Sequence, residues 1–166
     1  KKKIKLFMKT PAQDQIKTFD IIIFAVKPQV AEKVINEYKG FKFKKNSVIG
    51  TIIAGKKINF YKKYLKSSKQ IVRIMPNMPA LVRNGITCLV PNKYFNKKNK
   101  NIINKLFLKV GKTVWLNNES QIDIATAISG SGPGYFFSLI YAFEKAGQKI
   151  GFSKKLSREL ILSTFL

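Results

Sequence analysis

Ser129-Gly130-Ser131-Gly132-Pro133-Gly134-Tyr135 gathers hydroxyls, glycines and a proline into seven residues just before a long helical pattern. Backbone NH groups and hydroxyls at a helix start make a seat for a carboxylate. The same residues equally suit a hinge between two closely packed helices. Two sharper motifs fail here. The nucleophile elbow needs Gly-x-Ser-x-Gly, and the dinucleotide fingerprint needs a preceding strand and a glycine where Tyr135 stands.

Four other segments hold chemistry-capable residues. Ala25-Val26-Lys27-Pro28 follows an apolar run, so Lys27 is either a solvated lysine opening a helix or a ribose or phosphate contact at a strand's carboxyl end. Thr51-Ile52-Ile53-Ala54-Gly55 ends a second run in small residues, which admit a flat ligand or simply form a turn. Arg73-Ile74-Met75-Pro76-Asn77-Met78-Pro79-Ala80 leaves a third run through two prolines, predicting a stiff extended loop around Asn77. Glu119 and Asp123 stand four apart on one helical face, as site acids or as acids that favour a helix dipole.

Absences narrow the classes. With no histidine and one cysteine, Cys88, the sequence offers no Ser-His-Asp or Cys-His site, no histidine-ligated metal and no structural zinc. No metal site and no residue acting directly as acid, base or nucleophile is expected.

The elements that must carry these residues follow from periodicity. Continuous β-branched runs at Ile21 to Val26, Val48 to Ala54, Ile71 to Met75, Ile86 to Val90 and Thr113 to Leu116 read as buried strands. Ala31, Val34, Ile35 and Tyr38 mark one helical face after the first. Ile58 to Leu65 forms a second helix, and Ile102, Ile103, Leu106, Phe107 and Val110 mark a third. Strands alternating with helices predict an α/β fold, a mostly parallel sheet covered on both faces. Beyond Asn118 the pattern is helical throughout, with faces at Ile122, Ala125 and Thr126, at Phe136, Leu139, Ile140 and Phe143, and at Leu156, Leu160 and Ile161. A boundary is placed near residue 118, giving domains at 1–118 and 119–166.

The formal net charge is +24 at pH 7, which raises nucleic-acid or anionic-surface binding. Only Arg73, Arg83 and Arg158 are arginine, whereas base and phosphate readers favour the guanidinium fork. The lysines are scattered from end to end, as solvated surface would be. No apolar run reaches the length of about 20 residues that spans a bilayer. A soluble cytoplasmic protein without membrane or nucleic-acid partners is expected. The Lys1-Lys2-Lys3 start and the apolar close at Leu166 predict a piece cut from a longer chain.

Taken in order, Asp20 to Gln29 (DIIIFAVKPQ), Ile74 to Thr87 (IMPNMPALVRNGIT), Ile128 to Tyr135 (ISGSGPGY) and Phe143 to Gly151 (FEKAGQKIG) resemble the pyrroline-5-carboxylate reductase family. The resemblance covers nearly all of the chain from Asp20 onward. It implies a partial Rossmann-type sheet followed by the start of an all-helical dimerisation domain, and a likeness to enzymes that reduce 1-pyrroline-5-carboxylate to L-proline with NADPH or NADH as members of homodimers or higher homo-oligomers.

By the same resemblance, Ala25, Val26, Lys27, Pro28 and Ala54 match cofactor contacts. Glu119, Ser129, Gly130, Ser131, Gly132 and Asn77 match residues at the substrate pocket. The family's glycine-rich pyrophosphate fingerprint would precede Lys1 and its Gly-Gly-Thr-Thr segment would follow Leu166, so the 166 residues alone are expected to be inactive. Met78, Gly134 and Ile53 depart from the family's usual threonine, alanine and alanine, and Ala12 lies near a position that is a cofactor-contacting asparagine in some members. The competing expectations are another two-domain Rossmann-plus-helical reductase, or a non-catalytic basic module that binds anions.

Overall fold

The computed structural model describes residues 10–165; the Lys1-Lys2-Lys3 start and Leu166 lie outside the described residues. A short helix α1 (Gln13–Ile16), not expected from periodicity, precedes strand β1 (Ile21–Phe24). A 3-10 turn (Pro28–Val30) then leads into α2 (Ala31–Glu37). Proline suits this entry because the first turn of a helix needs no NH from it. Next come β2 (Val48–Thr51), α3 (Ile58–Tyr64), β3 (Gln70–Pro76), β4 (Gly85–Pro91), α4 (Lys97–Phe107) and β5 (Gly111–Trp115). All five expected strands form.

The sheet order is β1-β2-β3-β4-β5. The β1–β2, β2–β3 and β4–β5 pairs are parallel, while β3 and β4 pair antiparallel, with Met75 opposite Cys88. The sheet is therefore mostly parallel, as expected, with one reversal. Its cause is the connection: a single 3-10 turn, Met78–Val82, joins β3 to β4, too short for the crossover that parallel neighbours require. Here the extended loop expected around Asn77 is corrected to a helical turn. Asn77 caps it in extended backbone and accepts the Ile86 NH at 2.9 Å on its Oδ1. Close approach also fixes Gly111 at the start of β5: a Cβ there would stand 1.9 Å from the Gly85 carbonyl oxygen, and its φ is +141°.

The residues of β2 and β3 divide between the two faces of the sheet because strand side chains alternate. Ile49 and Ile71 join Phe24, Ile35, Ile58, Tyr61 and Leu65 under α2 and α3. Val48, Val72, Ile74 and Leu89 pack with Ile103 of α4 on the other face. A smaller cluster of Met75, Cys88, Val90 and Ile122 seats helix α5 (Ser120–Ala125) on β3 and β4. That burial ties the first helix after residue 118 to the sheet.

The segment from Ser129 to Tyr135, expected as a donor-rich helix start or a hinge between helices, is itself helical. Thr126–Gly130 forms a π-helical turn, and α6 (Gly132–Lys149) follows at once. Thr126 Oγ1 donates to the Ile122 carbonyl at 2.7 Å, and Ser129 Oγ donates to the Ala125 carbonyl at 2.9 Å. Such back-bonding bends helices, and a π turn inserts one extra residue. Helix α7 (Lys154–Phe165) folds back against α6. In this pair the buried side chains are Glu144 and Ser157, while Tyr135, Phe136, Phe137, Leu139, Tyr141, Phe143, Leu156 and Leu160 are exposed.

Candidate functional site

The carboxyl ends of β1, β2 and β3 share one edge of the sheet because these three strands run parallel. Three of the sequence-selected segments leave from that edge. After β1, Ala25, Lys27 and Pro28 are exposed and Val26 packs partly against the α2–α3 cluster. Lys27 sits in extended backbone, and its carbonyl accepts the Val30 NH at 3.1 Å, closing the 3-10 turn. After β2, Ala54 is exposed, and Gly55 turns the chain at φ +71° with nothing within 4 Å of where a Cβ would be. After β3, Asn77 is half-buried, with its Oδ1 committed to Ile86.

Glu119 comes to the same edge from the helical side. Its Oε1 accepts the backbone NH of Ile58 at 2.6 Å, at the start of α3 and therefore just beyond the Ala54-Gly55 turn. The same oxygen accepts Nη1 of Arg73 at 3.2 Å. Nη2 of Arg73 donates to Oδ1 of Asp123 at 3.0 Å. The spacing of four that placed the two acids on one helical face thus delivers both to one guanidinium.

The Arg73 side chain is 2% exposed, against 28% for Glu119 and 52% for Asp123. It lies on the sheet face of Ile71 and Met75, between the core under α3 and the cluster under α5. Tyr61 adjoins it: the phenol shares a 2.6 Å hydrogen bond with Thr51 Oγ1. Burial pushes the Tyr61 hydroxyl above its ordinary value, partly offset by the Thr51 bond and the Arg73 charge.

Ser129, Gly130, Ser131 and Gly132 lie further along the helical side, where the π turn packs beside β3. The NH of Ser131 is taken by the Thr126 carbonyl at 2.9 Å, and the Ser131 carbonyl accepts the Gly134 NH at 2.9 Å. Together with the Ser129 back-bond, this gives the segment internal partners in place of an open ring of donors. Gly132 has open space where a Cβ would stand.

Two charged residues of this cluster are only weakly signalled by sequence, Arg73 as the start of a loop segment and Asp123 as an acid that serves a site or a helix dipole equally well. The signal for Arg73 was nevertheless present: one of three arginines in a lysine-rich chain, set in the apolar run Ile71-Val72-Arg73-Ile74-Met75. A guanidinium in such a run must find carboxylates. Cavities of about 180 and 590 Å³, lined by Lys44, Lys45 and Asn46, lie at the opposite, amino-terminal edge of the sheet and touch none of these residues. Among the described residues there is no cluster able to hold a metal ion, and no helix long and apolar enough to cross a membrane.

A mostly parallel sheet with its small-residue turns on one edge, joined to a helical arm, is the Rossmann-plus-helical architecture of the nucleotide-dependent oxidoreductases. Residues 119–166 match the family of pyrroline-5-carboxylate reductase dimerisation domains. Among curated proteins, the chain is 37% identical over 147 residues to the pyrroline-5-carboxylate reductase of Pseudomonas aeruginosa and 36% identical over 147 residues to that of Haemophilus influenzae. Each alignment covers 89% of this chain and 54% of the relative. Among solved structures, the Plasmodium falciparum pyrroline carboxylate reductase with NADP bound superimposes with a TM-score of 0.82 at 35% identity, over 92% of this chain and 57% of that one. Over most of its length the chain is similar to pyrroline-5-carboxylate reductases, and it spans about half the length of the curated relatives it matches.

Proposed function

We propose that the protein carrying this chain is an NADPH- or NADH-dependent reductase of 1-pyrroline-5-carboxylate, forming L-proline in the cytoplasm. The observation that carries the reading is Glu119: a carboxylate anchored by Ile58 and Arg73 at the sheet edge from which the Ala25–Pro28 and Ala54 turns leave. The substrate has a carboxylate and a ring nitrogen that is cationic when protonated. It needs an acid at one end and hydrogen-bond donors at the other.

The exposed, small-residue edge fits a flat cofactor. Ala25, Val26, Lys27, Pro28 and Ala54 would hold it, with Lys27 offering a cation to ribose or phosphate and the open backbone at Gly55 allowing close approach. The bound nicotinamide supplies the hydride for the imine carbon. The chain's own work is positioning. Glu119 faces the cationic nitrogen. The Ser129–Gly132 turn and Asn77 line the substrate pocket, with Gly132 the least obstructed of them.

We place the division between the sheet and the helical substrate and dimerisation part at residue 118, with α5 as the helix that docks one onto the other. The exposed apolar side chains of α6 and α7 support a homodimer or higher homo-oligomer, because a monomer rarely leaves so many large apolar side chains in water.

The test is NADPH oxidation by the full natural protein with 1-pyrroline-5-carboxylate and, in parallel, with 2-keto acids. Turnover specific to the imine supports the reading. Turnover only with keto acids, or none with either, contradicts it.

A further inference from the structure

Arg73 is the sheet's one buried charged side chain among the described residues. Core packing gives no reason for it, since an aliphatic residue between Ile71 and Met75 would fill that face without desolvating a guanidinium. What the arginine does is reach two carboxylates with separate arms, Nη1 to Glu119 and Nη2 to Asp123. A lysine ammonium, as a single point donor, lacks that planar fork.

The consequence falls on Glu119. Its Oε1 is held by two donors, the Ile58 NH from α3 and Nη1 from β3. Its Oε2 accepts no hydrogen bond among the described residues, and the side chain is partly open to solvent. One guanidinium also faces two carboxylates, so the group carries one surplus negative charge, shared between Glu119 and the more exposed Asp123.

We propose that Arg73 is the positioning residue of the substrate site: it pins Oε1 of Glu119 so that the open Oε2 meets the protonated ring nitrogen of the imine. Arg73 touches neither substrate nor cofactor and acts only through Glu119. The proposal rests on the reductase reading above.

The experiment is a double-mutant cycle in the full natural protein, with Arg73→Met, Glu119→Gln and the two combined, followed by steady-state kinetics against the imine and NADPH separately. Arg73→Met is expected to raise the imine KM about ten-fold or more while the NADPH KM stays within about two-fold. The double variant should be no worse than Glu119→Gln alone, within about two-fold. Arg73→Lys should recover part of the loss, because it restores the charge without the fork.

Equal rises in both KM values, or a double variant whose loss is the product of the two single losses, overturn the proposal. Should Arg73→Met fail to fold, the same cycle is run with Arg73→Lys and judged by the same two criteria. The wild type separates this proposal from the one beneath it. A wild type that reduces the imine while the cycle is additive removes only Arg73's role; one that does not reduce the imine removes both.

Discussion

The sheet and the α6–α7 arm use similar residues in opposite ways. In the sheet, Ile49, Ile71, Val72, Ile74 and Leu89 are almost completely buried, and the polar residues at its amino-terminal edge are lysines and asparagines with Asp20. In the arm, phenylalanine, tyrosine and leucine face outward while Glu144 and Ser157 lie inside, and the α6–α7 contact is close enough that a Cβ on Gly147 would stand 2.8 Å from Ser157 Oγ. The sheet has its core within the chain. The arm has only half of one. This difference fits the sheet for internal stability and leaves large apolar side chains of the arm uncovered within the chain, with the candidate site at the joint, where α5 and Arg73 couple them.

The comparison breaks first where the sheet core is hollowed. Leu89→Ala in the full natural protein should cost about 2–5 kcal/mol in urea unfolding, with little dependence on protein concentration. A loss under about 0.5 kcal/mol would mean that the sheet is not the stable half. Gly111→Ala is expected to cost about 2 kcal/mol or more, because the new Cβ would run into the Gly85 carbonyl oxygen and must adopt an unfavourable φ. A melting temperature unchanged from wild type would refute that close approach.

The arm should respond differently. Phe137→Ser, on an exposed face of α6, is expected to weaken self-association by about 1–2 kcal/mol, read by sedimentation across a dilution series. Its melting temperature should fall with dilution more steeply than that of wild type. Identical sedimentation would remove this face from the interface.

A smaller effect sharpens the sheet side. Tyr61→Phe removes the hydroxyl bonded to Thr51 and should cost about 1 kcal/mol at neutral pH. Because the folded protein holds the Tyr61 proton more tightly than the unfolded chain, that contribution is complete below the ordinary value of 10.0 and is lost as pH rises through the raised folded value. Wild type should therefore lose more stability above pH 10 than Tyr61→Phe does; equal alkaline losses would exclude Tyr61 as a source.

Much of this organisation is legible in the sequence, for physical reasons that differ by element. The strands are legible because burial on both faces demands continuous apolar runs, and the helices because their faces repeat at three and four residues. The reversal of β4 follows from the short connection between Pro76 and Gly85, a length that periodicity does not report. The Ser129–Tyr135 segment reads as a helix start or a hinge because glycine and proline usually break helices, whereas hydroxyl back-bonds and a π turn keep the chain helical here. Glu119 is visible as a scarce acid near a boundary. Its partner on β3 needs the tertiary fold, since Arg73 lies 46 residues away.

The most direct test of the central claim is Glu119→Ala in the full natural protein, assayed with 1-pyrroline-5-carboxylate and NADPH, with cofactor binding followed in parallel. The account predicts a fall in kcat/KM for the imine of about one hundred-fold with NADPH affinity retained. Unchanged kinetics would contradict it and return Glu119 to the role of an acid that caps α3 and neutralises Arg73.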